Sequence, residues 1–302
     1  MLCTQCPRRC GAVRTDTSGG GFCQMPALPV LARAALHHWE EPCLSGTRGA
    51  GTVFFSGCTL RCVFCQNSQI SRENFGRPVS IGRLREIFAE LIGQGAHNID
   101  LVSPTQFSHV VEEALDRPPG VPVVWNSGGY DSVDTLGRLE GKIDVYLPDL
   151  KYVTPARAEK YSGTEDYPEI AAAAILEMFR QVGPTVLEDG LLKRGVLIRH
   201  LLLPGGLNEA KLVMDWVAEQ FPPGAVLFSL MSQYVPLGRA AEFPELNRRL
   251  RRSEIRSAEA YMAALGLNGY TQEPDAADAG YVPRFDLTGV TFSRVTFSRE
   301  KK

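Results

Sequence analysis

Short apolar runs alternate with amphipathic stretches along the chain from residue 52 onward. Apolar positions at helical spacing, such as Leu84, Ile87 and Leu91, lie between runs of the length and composition typical of buried strands. The six predicted strands lie near residues 52–56, 98–103, 121–126, 143–148, 195–202 and 225–230. Such alternation produces parallel strands joined by right-handed crossovers. The pattern therefore predicts an α/β fold, a partial (β/α)6 TIM-like barrel of parallel strands that is open on one side.

The segments on either side of this alternating region differ from it. Residues 1–45 contain cysteines and glycines, and we predict a cysteine-rich N-terminal extension with a metal site there. Residues 46–270 form the predicted barrel. Residues 271–302 are polar, with two copies of VTFSR at 290–294 and 295–299, and predict a C-terminal tail that pairs as a short hairpin or stays loose.

Composition excludes several classes of protein. Apolar residues make up 44% of the 302 residues and charged residues 22%, which is typical of a globular protein with a full core. The formal net charge of −2 gives no sign of a nucleic-acid partner. The chain opens MLCTQCPRRC, without the apolar region of a secretory signal, and has no apolar run long enough to span a membrane. We expect a soluble, cytoplasmic protein without a nucleic-acid or membrane partner.

All eight cysteines lie within the first 65 residues, in clusters. Disulfide scaffolds are short secreted chains, so this pattern in a long chain favours metal binding. The second group is Cys58-x3-Cys62-x2-Cys65, on a loop after the predicted first strand. A [4Fe–4S] cluster usually takes four cysteines, so three leave one iron open to a small molecule. A zinc knuckle with Cys43 as the fourth ligand is the alternative.

The first group, Cys3-x2-Cys6-x3-Cys10-x12-Cys23, offers four thiolates, which is a closed ligand set. A structural zinc ion and an auxiliary iron–sulfur cluster that relays electrons both accept four cysteines. The spacing leaves this choice open, and the absence of any metal remains a third alternative.

The motif CTLRCVFC, with Phe64 just before its last cysteine, resembles the signature of the radical S-adenosylmethionine (SAM) superfamily. The resemblance implies that Cys58, Cys62 and Cys65 hold a [4Fe–4S] cluster and that SAM binds the fourth iron. It also implies reductive cleavage of SAM to methionine and a 5′-deoxyadenosyl radical, which abstracts hydrogen from the substrate. The partial barrel predicted above is the fold that this resemblance implies.

Polar residues follow the predicted strands at their carboxyl ends, where parallel barrels place their active sites. Asp149, Lys151 and Arg199 interrupt apolar runs, and a charge in such a place needs a partner or a ligand. A solvated strand end is the alternative for any single polar residue. The other polar residues at these ends are Ser103, Thr105, Asn126 and Ser127.

Asp149-Leu150-Lys151 resembles an element of the pyruvate formate-lyase activating enzyme group, and Arg199 matches an Ile-Arg pair there. The resemblance implies that Asp149 lies close to SAM by a monovalent cation site and that Lys151 faces the substrate. That group has Gly-Gly-Glu after the second strand to bind the SAM amino group, whereas this chain has Ser103-Pro-Thr105. We expect the carbonyls and hydroxyls of Ser103 and Thr105 to accept the ammonium protons, although the glutamate charge is missing. CPRRCG, FFSGCTLRCVFCQN and Pro104-Thr105 together are similar to the X-type putative members of the group.

These observations predict a radical SAM oxidoreductase. We expect Asp149, Lys151 and Arg199 to act in catalysis. The residues expected to contact SAM are Phe64, Ser103, Thr105, Asn126 and Ser127. The favoured role is activation of a glycyl radical enzyme, with flavodoxin or ferredoxin as electron donor docking on the basic cluster at 247–252. Hydrogen abstraction from another peptide or a small metabolite, and a non-catalytic iron–sulfur or zinc redox sensor, are the alternatives.

Overall fold

A computed structural model describes residues 2–272 and 283–291, and its strands follow the apolar runs of the sequence. The strands of the described region are β1 Val30–His37, β2 Ala50–Phe55, β3 Arg77–Pro78, β4 Ile99–Val102, β5 Val123–Ser127, β6 Val145–Pro148, β7 Val186–Glu188, β8 Leu191–Leu201, β9 Leu227–Met231 and β10 Gly269–Thr271. The α-helices are α1 Pro42–Ser45, α2 Ser68–Ser71, α3 Ile81–Gly93, α4 Ser108–Ala114, α5 Val133–Arg138, α6 Pro155–Ser162, α7 Tyr167–Val182, α8 Leu207–Gln220 and α9 Arg252–Ala264.

The strands form one sheet in the order β10-β9-β8-β6-β5-β4-β2-β1-β3, with β7 paired to β8. All pairs from β2 to β10 along this order are parallel, and the six predicted strands are β2, β4, β5, β6, β8 and β9. Strands β10 and β3 lie at opposite ends of the order, so the described sheet does not close. The prediction of a partial TIM-like barrel is therefore confirmed.

Strand β1 extends the sheet beyond the predicted barrel. Its residues lie within the segment that the sequence assigns to the extension, and it pairs antiparallel with β2 from Leu31 to His37. Ala32 and Ala34 are buried. The apolar residues of β1 are thus covered by the sheet and its neighbours, and the cysteine-rich segment proper ends before Val30.

Local sequence explains where α3 begins and which face it buries. The hydroxyl of Ser80 accepts the backbone N–H of Arg83 at 3.1 Å and so satisfies one free donor of the first turn. Leu84, Ile87 and Leu91 are buried against the sheet, as their helical spacing predicts.

Short helix α1 closes the barrel at the end opposite the cysteine loop. Its Leu44 packs with apolar residues that point into the barrel, and the Leu44 carbonyl accepts the side-chain N–H of Asn98 at 2.9 Å, just before β4. This inner cluster comprises Cys43, Leu44, Val124, Val145, Leu147, Leu192, Leu197 and Leu227. An apolar cluster therefore lies next to α1 in the barrel interior.

Part of the predicted tail packs on β1. The N–H of Leu287 donates to the Ala32 carbonyl at 3.0 Å, and the N–H of Ala34 donates to Thr288 at 2.8 Å. The remaining tail residues, with the second VTFSR copy and its predicted hairpin, lie outside the described residues. Among the described helices, none is both long and apolar enough to cross a bilayer.

Candidate functional site

The loop after β2 carries the three cysteines of the CTLRCVFC motif. Gly57 has φ +78° and opens the loop, and a Cβ at this position would lie 2.4 Å from Cγ of Met25, so only glycine permits this close approach. Cys62 is buried, whereas Cys58 and Cys65 are partly exposed. The loop thus presents its thiols at the carboxyl end of the first parallel strand, as the sequence predicts.

The hydrogen bonds of this loop suit charged thiolates. The backbone N–H groups of Leu60 and Arg61 point at Cys58 Sγ, at 3.3 Å and 3.5 Å. Cys65 Sγ accepts the hydroxyl of Ser71 at 3.4 Å. Donors aimed at sulfur favour the thiolate, which is the form that binds metals. The donor set therefore fits an iron–sulfur cluster held by this loop.

Burial disfavours the charged form of two of these thiols, those of Cys62 and Cys65. Burial raises the pKa of the Cys62 thiol to about 12, although the Lys151 charge nearby lowers it. Burial likewise raises the pKa of Cys65, and the neighbouring Cys58 raises it further. Metal binding at this loop must therefore displace protons, which makes it dependent on pH.

A single ion does not fit the arrangement. Within residues 2–272 and 283–291, no three His, Cys, Asp or Glu side chains converge closely enough to hold one metal ion. Thiolates of a four-iron cluster bind different irons and lie further apart than the ligands of one ion. This geometry disfavours the zinc knuckle, and Cys43 lies in the inner cluster at the opposite end of the barrel.

Phe64 lies in an aromatic group beside the cysteines. Its ring lies 6.5 Å from that of Tyr161 and 6.4 Å from that of Tyr234, both in edge-to-face geometry. Phe64 is 7% exposed. The side chain thus supports the loop from below, and its predicted contact with SAM stays a prediction.

Asp149, Lys151 and Arg199 meet inside the barrel, as their positions at strand ends predict. Asp149 Oδ1 accepts Nε of Arg199 at 2.9 Å, and its Oδ2 accepts Nζ of Lys151 at 2.5 Å. Arg199 also donates to Oδ1 of Asn126 at 2.7 Å and to Oε2 of Glu40 at 3.3 Å. Three predicted site residues and Asn126 therefore form one hydrogen-bonded network next to Cys62.

The charges of this network hold one another ionised. Burial raises the pKa of Asp149, but Lys151 and Arg199 more than offset this effect, so its pKa lies below the ordinary value. Burial alone lowers the pKa of Lys151 and of Arg199, but Asp149 raises both above their ordinary values. The network therefore presents fixed charges at neutral pH.

Sequence reasoning missed three further carboxyl groups in this interior, namely Glu40, Glu41 and Asp100. Burial raises the pKa of each, and Arg199 lowers it. Oε2 of Glu41 and Oδ1 of Asp100 accept no hydrogen bond from the described residues. Asp100 interrupts the apolar run of β4 just as Asp149 follows that of β6, so the same signal points to it.

Thr105 and Ser127 are joined by a residue that the sequence analysis did not select. Asp131 is 1% exposed and accepts the Thr105 hydroxyl at 2.7 Å and the Ser127 hydroxyl at 2.5 Å. Ser127 alternates with the inward-facing Asn126 along β5, so its side chain points to the helix side of the sheet. Through Asp131, these two hydroxyls link the carboxyl ends of β4 and β5 on the helix side of the sheet.

Ser103 shapes the loop after β4. It has φ +56°, a conformation uncommon for a residue with a side chain, and its carbonyl accepts Nε2 of Gln106 at 2.8 Å. The same Nε2 lies 2.9 Å from the Ser56 carbonyl and 3.2 Å from that of Gly57. Gln106 thus fastens the Ser103 loop to the residues directly before Cys58.

Comparison with known proteins supports the fold of this site. The chain superposes on SuiB of Streptococcus suis bound to its precursor peptide SuiA with a TM-score of 0.50 and 11% identity, over 72% of this chain and 47% of SuiB. On SuiB bound to S-adenosylmethionine the chain superposes with a TM-score of 0.50 and 11% identity, over 72% of this chain and 48% of SuiB. The chain therefore spans about half the length of SuiB and shares its fold over that span.

A curated relative shows the family. The uncharacterized protein MJ0674 of Methanocaldococcus jannaschii is 30% identical over 268 residues, which cover 85% of this chain and 72% of that protein. The chain belongs to the same protein family as MJ0674. No protein-family model matches the chain.

Proposed function

We propose that this protein is a radical SAM enzyme. The observation that carries the proposal is the three-thiol loop at the carboxyl end of β2, with N–H groups aimed at Cys58, on a fold shared with a protein that binds S-adenosylmethionine. Cys58, Cys62 and Cys65 would hold a [4Fe–4S] cluster. When bound, that cluster would supply the electron for the cleavage of SAM to methionine and a 5′-deoxyadenosyl radical, which would abstract hydrogen from the substrate.

We assign to the residues around the loop the binding and orientation of SAM. The negative charge of Asp149 and the positive charges of Lys151 and Arg199 lie in fixed positions beside Cys62. Charges fixed in this way orient a polar cofactor, because the side chains do not have to rearrange when it binds. We assign to Ser103 and Asn126 polar contacts with SAM. Thr105 and Ser127 keep the strand ends in place through Asp131, and Phe64 excludes water from below the cysteines.

The favoured substrate is a peptide segment of a partner enzyme, and the role is activation of a glycyl radical enzyme. The open sheet supports it, because an unclosed barrel admits a loop of a large partner. SuiB, which shares the fold, has been crystallised with its precursor peptide. A small metabolite is the alternative substrate.

An external one-electron donor completes the proposal. Arg251, Arg252 and Arg256 are exposed at the start of α9. A positive surface attracts acidic electron carriers such as flavodoxin or ferredoxin and speeds their association.

The test measures 5′-deoxyadenosine after anaerobic reconstitution with iron and sulfide, with SAM and dithionite added. We expect product from the parent and from Cys43→Ala, a buried cysteine outside the loop, and none from Cys62→Ala. Spectroscopic titration of the reduced cluster with SAM detects binding even where cleavage needs the substrate. Cleavage that persists in Cys62→Ala, or a parent whose cluster does not bind SAM, would refute the proposal.

A further inference from the structure

The buried thiol of the CTLRCVFC motif contacts a hydroxyl from a distant part of the chain. Cys62 Sγ lies 3.0 Å from Oγ of Ser162, the last residue of α6, and both residues are buried. By contrast, the donors described above for Cys58 and Cys65 come from the motif itself and from Ser71 in α2, directly after it. Ser162 lies 100 positions from Cys62, so only the fold supplies this contact.

A second buried hydroxyl continues the contact. Oη of Tyr152 lies 3.1 Å from Oγ of Ser162, and Tyr152 is 1% exposed. The ring of Tyr152 packs against those of Tyr161 and Tyr167, with ring centres 6.4 Å and 5.5 Å apart, and these contacts hold the phenol in place. Tyr152 Oη, Ser162 Oγ and Cys62 Sγ thus form a buried chain of two hydrogen bonds, which we call the hydroxyl chain.

Backbone hydrogen bonds hold the end of α6 against the motif. The N–H of Val63 donates to the carbonyl of Tyr161 at 2.9 Å, and the N–H of Arg239 donates to the carbonyl of Val63 at 2.6 Å. Val63 directly follows Cys62, and Tyr161 directly precedes Ser162. The backbone next to both side chains is therefore fixed, and the contact between sulfur and hydroxyl does not depend on two freely rotating groups.

The direction of both hydrogen bonds follows from the charge on sulfur. A thiol and a hydroxyl can each donate, but a thiolate has no proton, so Ser162 must donate to Cys62 when that sulfur is a metal ligand. Ser162 has one hydroxyl proton, so its oxygen then accepts the proton of Tyr152. Hydrogen bonds in such a chain polarise one another, so the phenol strengthens the bond from serine to sulfur.

We propose that Ser162 and Tyr152 are positioning residues that act through the Cys62 sulfur and raise the reduction potential of the cluster; this inference rests on the proposed function. Hydrogen bonds to the sulfur atoms are among the factors that set the potential of such clusters. Uptake of one electron from the external donor adds negative charge, and a hydrogen bond donated to a ligating sulfur stabilises that charge. The hydroxyl chain therefore eases this reduction.

The test is a reductive titration of the reconstituted protein with dithionite and redox mediators, followed by visible absorption and by electron paramagnetic resonance. SAM is left out, so the reduction potential is measured whether or not SAM is cleaved. Ser162→Ala should lower the equilibrium constant for reduction about tenfold, which is a shift of about 59 mV to more negative potential for a one-electron couple. Tyr152→Phe keeps the serine and should shift the potential in the same direction by less.

A double variant tests whether the phenol acts through the serine. In Ser162→Ala/Tyr152→Phe the phenol has no route to sulfur, so the second substitution should add no further shift in potential. Tyr146→Phe is the matched control, because Tyr146 is also buried and its phenol donates to Gln181 instead. It should keep the parental potential. All of these variants should keep the parental iron content, since none removes a thiolate.

The outcomes separate this inference from the proposed function. If Ser162→Ala and Tyr152→Phe keep the parental potential, or if both lose iron, the hydroxyls have a structural role and the inference is refuted, whether or not SAM is cleaved. Additive shifts in the double variant would refute the action of Tyr152 through Ser162. The expected shifts in a protein whose cluster does not bind SAM would refute the proposed function alone. A parent that assembles no cluster refutes both.

Discussion

Replacing Asp149 with asparagine removes one negative charge from the interior of the barrel and leaves its shape unchanged. The carboxylate accepts Nε of Arg199 at 2.9 Å and Nζ of Lys151 at 2.5 Å. An amide offers one acceptor instead of two and turns its N–H groups towards one of the cations. We expect Asp149→Asn to lower the free energy of unfolding substantially, because it breaks a buried ion pair on one side only.

The magnitude follows from the two contacts. Each hydrogen bond to a charged group contributes about 1.5–3 kcal/mol, so the pair contributes about 3–6 kcal/mol. The side chains of Asp149, Lys151 and Arg199 retain 16%, 17% and 14% exposure, so water screens part of this. The expected loss is therefore about 3 kcal/mol, at the lower end for breaking a buried pair.

Urea unfolding followed by tryptophan fluorescence measures this loss, because Trp125 is buried in β5 next to Asn126. Asp116→Asn is the matched control. Asp116 also pairs with a lysine, Lys142 at 2.5 Å, but its side chain is 61% exposed. We expect no measurable change in that variant, because exposed pairs contribute little.

An Asp149→Asn loss below about 1 kcal/mol would contradict the reasoning. It would mean that the three charges are hydrated and contribute no more than a surface pair. If Asp149→Asn loses the expected stability but its affinity for SAM is unchanged, the network is confirmed and Asp149 does not belong to the proposed cofactor site.

Two further predictions concern buried polar groups. Burial lowers the pKa of His109 to about 4. Unfolding therefore takes up a proton between pH 4 and about pH 6.5, because the imidazole regains its ordinary pKa in the unfolded chain. The free energy of unfolding consequently falls by up to about 3 kcal/mol as the pH falls through this range. In urea unfolding, the free energy of unfolding of His109→Gln should fall less than that of the parent between pH 6.5 and pH 4. Parallel pH profiles of the parent and the variant would contradict the assignment. Asp131→Ala leaves the Thr105 and Ser127 hydroxyls without their acceptor and should cost about 2–4 kcal/mol in the same assay. The exposed Asp134→Ala is its control, and equal stability of the two variants would show that Asp131 is no brace.

Local features of the sequence predicted most of the barrel. A buried parallel strand needs a short apolar run whatever surrounds it, so the runs at 121–126 and 143–148 were sufficient to predict β5 and β6. The cysteine spacing likewise predicted one compact loop, because its three cysteines lie within eight residues of one another. Strand β1 was missed because its pairing with β2 across a short helix depends on tertiary packing.

Strand-end positions predicted that Asp149, Lys151 and Arg199 face the interior, but not how they pair, and they did not predict that Ser127 turns to the helix side. Asp149, Lys151 and Arg199 were selected because charges interrupt apolar runs, and the structure brings them together. Asp131 was not selected, because a single aspartate after two glycines has the pattern of an ordinary loop.

The sequence by itself determined the strand–helix alternation, the cysteine loop and the end of the barrel at which polar groups collect, because burial and turn formation are encoded over a few neighbouring residues. Only the tertiary structure decided that Arg199 contacts Asp149, 50 positions away, and Glu40, 159 positions away. It also placed the extension on the loop of Cys58, Cys62 and Cys65 through Arg8 and Thr59, 51 positions apart. Such contacts depend on how the sheet curves, and hydrophobic periodicity carries no information about that curvature.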